Sequence, residues 1–238
     1  MAEKNNPIQK ISYFDEGYRA QKFAQLHQKK DVFFVQVGGM DGKQFDPIYP
    51  AVQRYGWSGL IVEPLPDLYA LLCQTYQPYP QIILEACAIT ESSGWVTMHR
   101  IPLAIVEDGS LPDWTTGIAS VREDENRLGG IRKDSLLYEK IQPYLVQEQV
   151  VGLTLAELLV KHHVKQMDVL QIDAEGMDYH ILKQLDFSTY QPYLINLEFA
   201  NLPESEQLAT LDLLEQHGYR YRCEAGHGLD LLAERLLE

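Results

Sequence analysis

Apolar residues along the chain fall into two alternating patterns, short unbroken runs and longer stretches with a spacing of three or four. That alternation predicts a parallel sheet with crossover helices, a doubly wound and mostly parallel Rossmann-like α/β fold. An amphipathic stretch from Tyr13 to about Lys30 reads as a helical extension within residues 1–30. The clearest strand, Val32 to Val37, follows and stops at Gly38-Gly39. Pro47 to Tyr55 reads as a helix, Gly59 to Val62 as the next strand ending at Glu63-Pro64, and Asp67 to Tyr76 as a helix opened by Pro66. Gln81 to Ala88 is expected as strand three and Trp95 to Ile101 as a further strand. Periodicity is then lost, and residues 102–150 read as a lid-like insertion, since loops that long commonly cover sites.

Regular order returns at Thr154-x-x-Glu157, a capping box opening a helix over Leu155 to His163. Asp168 to Ile172 is strand four, ending at Asp173-Ala174-Glu175-Gly176. Met177 to Leu185 is expected as a helix, Tyr193 to Leu197 as a fifth strand ending at Glu198, and Glu204 to His217 as the last long helix. The tail, Tyr219 to Cys223 and then Leu229 onward, predicts an antiparallel C-terminal hairpin on the sheet edge. The whole of residues 1–238 reads as one domain.

In such sheets ligands bind beyond the carboxyl ends of the strands, where strand order reverses. Those ends here carry Gly38-Gly39-Met40-Asp41-Gly42, then Glu63-Pro64, then Asp173-Ala174-Glu175-Gly176, then Glu198. Glycines 38, 39 and 42 permit a tight turn and close backbone approach. Glu63, 25 residues after Gly38, has the reach to accept hydrogen bonds from ribose hydroxyls. The pair points to a ribose-bearing cofactor. A pyrophosphate would meet Asp41 in the loop meant to hold it, at a cost of about 4 kcal/mol for like charges 4 Å apart, and the loop lacks G-x-G-x-x-G. The sulfonium and ammonium of S-adenosylmethionine suit that charge instead. Ala86 and Cys87, at the end of strand three, stand where adenine is expected.

Composition narrows the partners. With 20 Lys+Arg against 34 Asp+Glu, a formal charge of −14, the 238-residue chain would repel a nucleic-acid backbone or an anionic membrane. No apolar run approaches the roughly 18 residues of a membrane span, and MAEKNNPIQK lacks the apolar stretch of a signal peptide. A cytoplasmic protein acting on a small-molecule or glycan acceptor is the expectation; oligomeric state is not legible. Cys73, Cys87 and Cys223 have no C-x-x-C spacing and read as idle thiols.

The stretches VQVGGMDG with Asp46-Pro47-Ile48-Tyr49, GWSGLIVEPLPDLYALL, EACAI, Trp114 with GIAS, TLAELL, MDVLQIDAEGMDYHILKQLDF, PYLINLEF and GLDLLA occur in one order. Through them the chain resembles the FkbM family of S-adenosylmethionine-dependent methyltransferases from about Phe33 to Ala233, with Met40 and Gln171 departing from the family's usual pattern. The resemblance implies that Gly38, Gly39, Asp41 and Gly42 hold the methionine portion and Glu63, next to Pro64, the ribose. It implies that Asp173, Glu175 and Gly176 face the transferred methyl and that Gly117 to Ser120 line the acceptor side.

In-line transfer to a hydroxyl needs alignment and a base. The candidates are Asp173, Glu175 and Glu198, with His180 as a lesser one. Trp114, Ser120 and Asp46 are candidate acceptor contacts. His99 and His227 read as solvated, and Arg122, Arg127, Arg132 and Lys133 as decoration of the lid. Magnesium on Asp173, Glu175 and Glu198 is a minor expectation, because no dedicated ligand spacing supports it. Three other readings stay open: an N-methyltransferase of the same fold, an NAD-dependent oxidoreductase, and a cofactor-binding or interaction protein without turnover.

Overall fold

The computed structural model describes residues 11–122, 131, 135–225 and 230–235. His227, Arg127, Arg132 and Lys133 lie outside the described residues. The described residues open with a two-residue strand β1 (Tyr13–Phe14) and helix α1 (Glu16–His27). It then alternates through β2 (Phe33–Val37), α2 (Tyr49–Tyr55), β3 (Ser58–Val62), α3 (Pro66–Tyr76) and β4 (Ile82–Glu85). After an excursion it resumes with α6 (Leu155–Lys161), β9 (Val169–Ile172), α7 (Asp178–Leu182), β10 (Leu194–Glu198), α8 (Glu204–Gln216), β11 (Tyr219–Glu224) and β12 (Asp230–Arg235). The excursion holds β5 (Ala88–Ile89), β6 (Gly94–Arg100), α4 (Leu103–Glu107), β7 (Ala119–Ser120), α5 (Leu136–Ile141) and β8 (Val146–Leu153).

The main sheet has eight strands in the order β1-β11-β12-β10-β9-β2-β3-β4. Strands β10, β9, β2, β3 and β4 are mutually parallel. The chain runs outward from β2 through β3 to β4, then returns to the other side of β2 at β9, so strand order reverses between β2 and β9. Both faces are covered, which is why these strands read as mostly apolar runs. Val35, Val37, Leu170, Ile172, Ile195 and Leu197 pack with residues of α6, α7 and α8, while Phe34, Val169, Leu194 and Leu232 pack with Phe23, Leu26, Ala51, Val52 and Trp57. Alternate side chains of each strand thus serve opposite cores. The capping box forms as expected: Thr154 Oγ1 accepts from the Glu157 amide and the Glu157 carboxylate accepts from the Thr154 amide.

Three expectations need correction. Gln81 to Ala88 is not one strand: β4 ends at Glu85, the Cys87 amide folds back onto the Glu85 carbonyl, and Ala88–Ile89 pairs with β8 instead. The segment after Pro102 is not all lid, because β8 begins at Val146 and pairs antiparallel with the whole of β6. Together β5, β8, β6 and β7 make a second, four-stranded sheet. Its Met98, Ala119 and Val150 pack on Leu65 and Leu68 at the start of α3. The C-terminal hairpin is antiparallel, but β12 is inserted beside β10, and β11 is capped in turn by β1, a strand supplied by the N-terminal segment. Among the described residues no helix is long and apolar enough to cross a membrane.

One ion cluster fastens the second sheet to the first. The buried Arg100 guanidinium on β6 donates to both Asp67 oxygens, one at 2.7 Å, and to Glu148 on β8 at 2.9 Å. Asp67 also accepts the Leu68 amide in the first turn of α3, a position that favours a negative charge. Arg100 keeps Glu148 when Asp67 is removed, and Asp67 itself is partly open to water. Asp67→Ala is therefore expected to cost about 1.5–3 kcal/mol, the usual worth of a hydrogen bond to a charged group. A urea midpoint unchanged from wild type would refute this.

Candidate active site

The strand ends at the reversal point are held in register by backbone hydrogen bonds. The Gly38 and Gly39 amides both donate to the Val62 carbonyl at 3.1 Å, and the Asp173 amide donates to the Val37 carbonyl at 2.9 Å. Gly38, Asp173, Glu63 and Glu198 thus follow the carboxyl ends of four neighbouring strands. Gly38 has φ +83°, and a Cβ there would lie 1.9 Å from the Asp173 carbonyl oxygen, so only glycine lets the two loops pass. Gly39 and Gly42 serve a different purpose: a Cβ on either would strike Leu72 together with Ile61 or Tyr76, so they seat the loop on β3 and α3.

Above these ends is a cavity walled on the far side by the second sheet. Gly38, Met40, Glu63, Pro64, Cys87, Asp173, Glu175 and Met177 line it on the sheet side, and Met98, Gly117, Ala119 and Val121 close it opposite. Three carboxylates, Glu63, Asp173 and Glu175, face this space, with no Lys, Arg or His among its described lining residues. Leu65, Leu68, Ala88, Ile89 and Met98 make one end apolar.

Glu63 is buried, and its two oxygens accept the Met40 and Leu65 amides at 2.9 Å each. Burial pushes its carboxyl up to about 7 in spite of those amides. Asp173 opens into the cavity, yet the protein mass around it, with Asp230 and Asp46 adding repulsion, also raises it to about 7. Glu175 is held well above the carboxylate range by desolvation and then by Asp173 and Asp178. Two of the loop residues adopt left-handed backbone without being glycine, Met40 at φ 45° and Glu175 at φ 49°. Side chains in that region cost free energy and recur at functional sites. The Met40 amide is tied to Glu63, and the Glu175 carbonyl accepts from Ser120 Oγ at 2.9 Å.

Several expected residues lie elsewhere. Asp41 does not line the cavity: its carboxylate accepts the Lys43 and Gln44 amides and caps the turn. Ser120 is fully buried, spent on holding Glu175, while its neighbours Ala119 and Val121 reach the cavity. Ala86 is exposed outside the lining, unlike Cys87, and Trp114 is half-exposed on the turn Asp113–Gly117, also outside it. His180 sits in an adjoining open groove that shares Val121 and Met177 with the cavity, its ring nitrogens facing Glu91 at 3.1 Å and Glu206 at 3.3 Å. Glu198 is next to the site without lining it. Its Oε1 accepts from Asn201, its Oε2 has no partner, and burial, then Glu175, pushes it up to about 11. Asp46 caps α2 through the Ile48 and Tyr49 amides, with its carboxyl raised to about 6 by burial. Among the described residues no three His, Cys, Asp or Glu side chains are placed to hold a metal ion, so the minor expectation of magnesium has no support.

Sequence reasoning passed over Asp178. It is fully buried at the start of α7, and its Oδ1 accepts the Glu198 amide at 3.1 Å. An acid that begins a helix looks in sequence like an ordinary dipole partner, so no signal set it apart. Met98 and Val121 were equally hidden, since they reach the cavity only through the pairing of the second sheet.

A reversal of strand order crowned by a glycine turn, with an acid just past the following strand, is the Rossmann-like arrangement for a ribose-bearing cofactor. Residues 36–221 match the Methyltransferase FkbM domain. The chain belongs to the FkbM methyltransferase family. Its fold resembles the crystal structure of a methyltransferase FkbM from Methylobacillus flagellatus KT, with a TM-score of 0.50 at 10% identity, covering 86% of this chain and 43% of that one. This chain thus spans less than half the length of that relative. Weaker likenesses include the N-terminal domain of human METTL16 in complex with SAH, at a TM-score of 0.46 and 9% identity over 93% of this chain and 68% of that one. Another is a precorrin-6y C5,15-methyltransferase from Geobacter metallireducens GS-15, at 0.44 and 11% over 95% of each. No curated protein matches the chain in sequence.

Proposed function

We propose that this protein transfers a methyl group from S-adenosylmethionine to a hydroxyl of a small molecule or glycan unit. The observation that carries the proposal is the charge of the cavity, with Glu63, Asp173 and Glu175 facing it and no cationic side chain among its described lining residues. A dinucleotide's pyrophosphate would be repelled there, whereas a sulfonium with a net positive charge is attracted. The residues fit that cofactor: Gly38 leaves room where any Cβ would collide, Glu63 has lone pairs left for ribose hydroxyls, and the Leu65, Leu68, Cys87 and Met98 end suits adenine.

When bound, S-adenosylmethionine supplies an electrophilic methyl. The chain's own groups orient the acceptor and remove its proton. Asp173 and Glu175 line the cavity with Gly38, and a carboxylate with a raised pKa is a stronger base than a free one. Either carboxylate would take the acceptor's hydroxyl proton as that oxygen gains the methyl S-adenosylmethionine would supply.

Calorimetric titration tests the cofactor reading: S-adenosylhomocysteine binds and NADH does not, and the reverse outcome would overturn it. The pH dependence follows from the carboxyls. Because Glu63 and Asp173 have folded-state values near 7, above their unfolded ones, the folded protein holds extra protons between about pH 4 and 7. Stability of the free protein therefore falls as pH rises through that window. A cationic cofactor favours the ionised forms, so its binding strengthens toward pH 8, by at most about tenfold per pH unit for each proton released. Calorimetry in buffers of different ionisation enthalpy measures the release; tighter binding at acid pH would contradict the assignment.

A further inference from the structure

The turn from Asp173 to Gly176 is held from two sides. On the main-sheet side the Asp173 amide donates to the Val37 carbonyl, and the Met177 amide closes back onto the Ala174 carbonyl. The second half of the turn lacks such support: among the described residues neither the Glu175 nor the Gly176 carbonyl accepts a backbone amide. Both residues are left-handed, Glu175 at φ 49° and Gly176 at φ 93°. Desolvation, and then the nearby Asp173 and Asp178, oppose a charge on Glu175. A strained residue with a repelled carboxylate keeps its conformation only where its surroundings over-determine it.

Those surroundings are supplied by the second sheet. Ser120 on β7 and Arg122, two residues on, take the two carbonyls in turn: Ser120 Oγ donates to Glu175 at 2.9 Å and Arg122 Nη1 to Gly176 at 2.8 Å. The buried Ser120 hydroxyl accepts the Arg122 amide at 3.2 Å, which leaves its one proton for Glu175. The Arg122 guanidinium is fixed in turn by Glu206 on α8, at 3.0 and 3.1 Å, and its charge strengthens the bond it gives to Gly176. Arg122 is therefore no decoration of a lid, as its place in the sequence suggests. Strand β7 is itself anchored, since Ser120 pairs with His99 and Ala119 with Arg100, the arginine that ties the second sheet to α3. The Glu175 side chain ends under the same sheet, where a Cβ on Gly117 would lie 3.7 Å from Oε1.

We infer that Ser120 and Arg122 are positioning residues, a clamp through which the second sheet sets the Glu175 carboxylate toward the cofactor. The role rests on the methyl-transfer reading, because it acts on that cofactor's charge. Side chains that merely fastened the two sheets would contribute stability alone, whereas a clamp that aims a carboxylate also alters which ligand is preferred. S-adenosylmethionine carries a sulfonium where S-adenosylhomocysteine has a neutral thioether, so the ratio of their affinities reports the placement of a carboxylate.

Calorimetric titration of the full chain with both compounds at about pH 8, where a cationic ligand favours the ionised carboxyl, tests the clamp beside melting curves. Ser120→Ala and Arg122→Ala are each expected to shift the ratio about tenfold against S-adenosylmethionine, with S-adenosylhomocysteine affinity within about twofold of wild type. Glu175→Gln should give the same shift, and adding Ser120→Ala to it should give none beyond, because the serine acts through that carboxylate. Ser120→Thr keeps the hydroxyl and should keep the wild-type ratio; Arg122→Lys, a cationic donor without the fork, should fall between. If Ser120→Ala fails to fold, Ser120→Cys, close in volume and a weak donor, takes its place. A lower melting temperature with an unchanged ratio, a ratio indifferent to Glu175→Gln, or additive shifts in the double variant overturns the inference. Failure of the wild-type chain to bind either compound overturns the methyl-transfer reading instead, and the clamp's role with it.

Discussion

Asp173→Asn is expected to slow methyl transfer by about 10²–10⁴-fold, the usual worth of a positioned base, while S-adenosylhomocysteine still binds. The side chain opens into the cavity at the reversal point, and its carboxyl near 7 makes it a proton acceptor matched to neutral pH. Asparagine preserves volume and cannot accept that proton. Glu175→Gln should have a smaller effect if Asp173 is the base, and the larger one if the roles are exchanged. Comparing single-turnover rates of both variants at saturating acceptor separates the cases. Wild-type rates in both variants would remove these carboxylates from the mechanism.

Gly38→Ala carries the second large effect, and it falls on binding. The added Cβ would sit 1.9 Å from the Asp173 carbonyl oxygen in a φ region that costs L-residues about 1–2 kcal/mol before any clash. The loop must move away from β9, taking the Met40 amide off Glu63. A loss of about 100-fold in cofactor affinity corresponds to roughly 2.8 kcal/mol. By contrast, Gly39→Ala would clash with apolar side chains of β3 and α3, so its effect should appear in thermal stability first. Titration and melting curves on the two variants distinguish them; equal cofactor affinity of Gly38→Ala and wild type would show that this turn does not contact the ligand.

The central strands were legible because burial on both faces writes them as near-continuous apolar runs, Phe33 to Val37 and Val169 to Ile172 among them, each broken by a single Gln. The strand-end residues Gly38, Glu63, Asp173 and Glu175 were legible for a related reason: topology alone places such ends together. The second sheet was not. In β8, Val146 to Leu153, two exposed glutamines flank Glu148 and few residues are buried, and its pairing with β6 depends on contacts some 50 residues apart. The two-residue β1 is too short to carry any period. Asp41 and Ser120 illustrate a different limit. Their types fit a binding role, but a backbone amide two residues away or a carbonyl across the fold claimed their polar atoms first.

The left-handed backbone at Met40 and Glu175 sets a ceiling on how robust this fold can be. Glycine at either position would release about 1 kcal/mol of torsional cost. A chain selected purely for heat resistance would be expected to make both changes. Retaining a thioether and a carboxylate there trades melting temperature for a rigid rim around the cavity. Stabilised descendants of this protein obtained without selection for turnover should therefore accumulate substitutions at these two positions and lose catalytic rate as they do so.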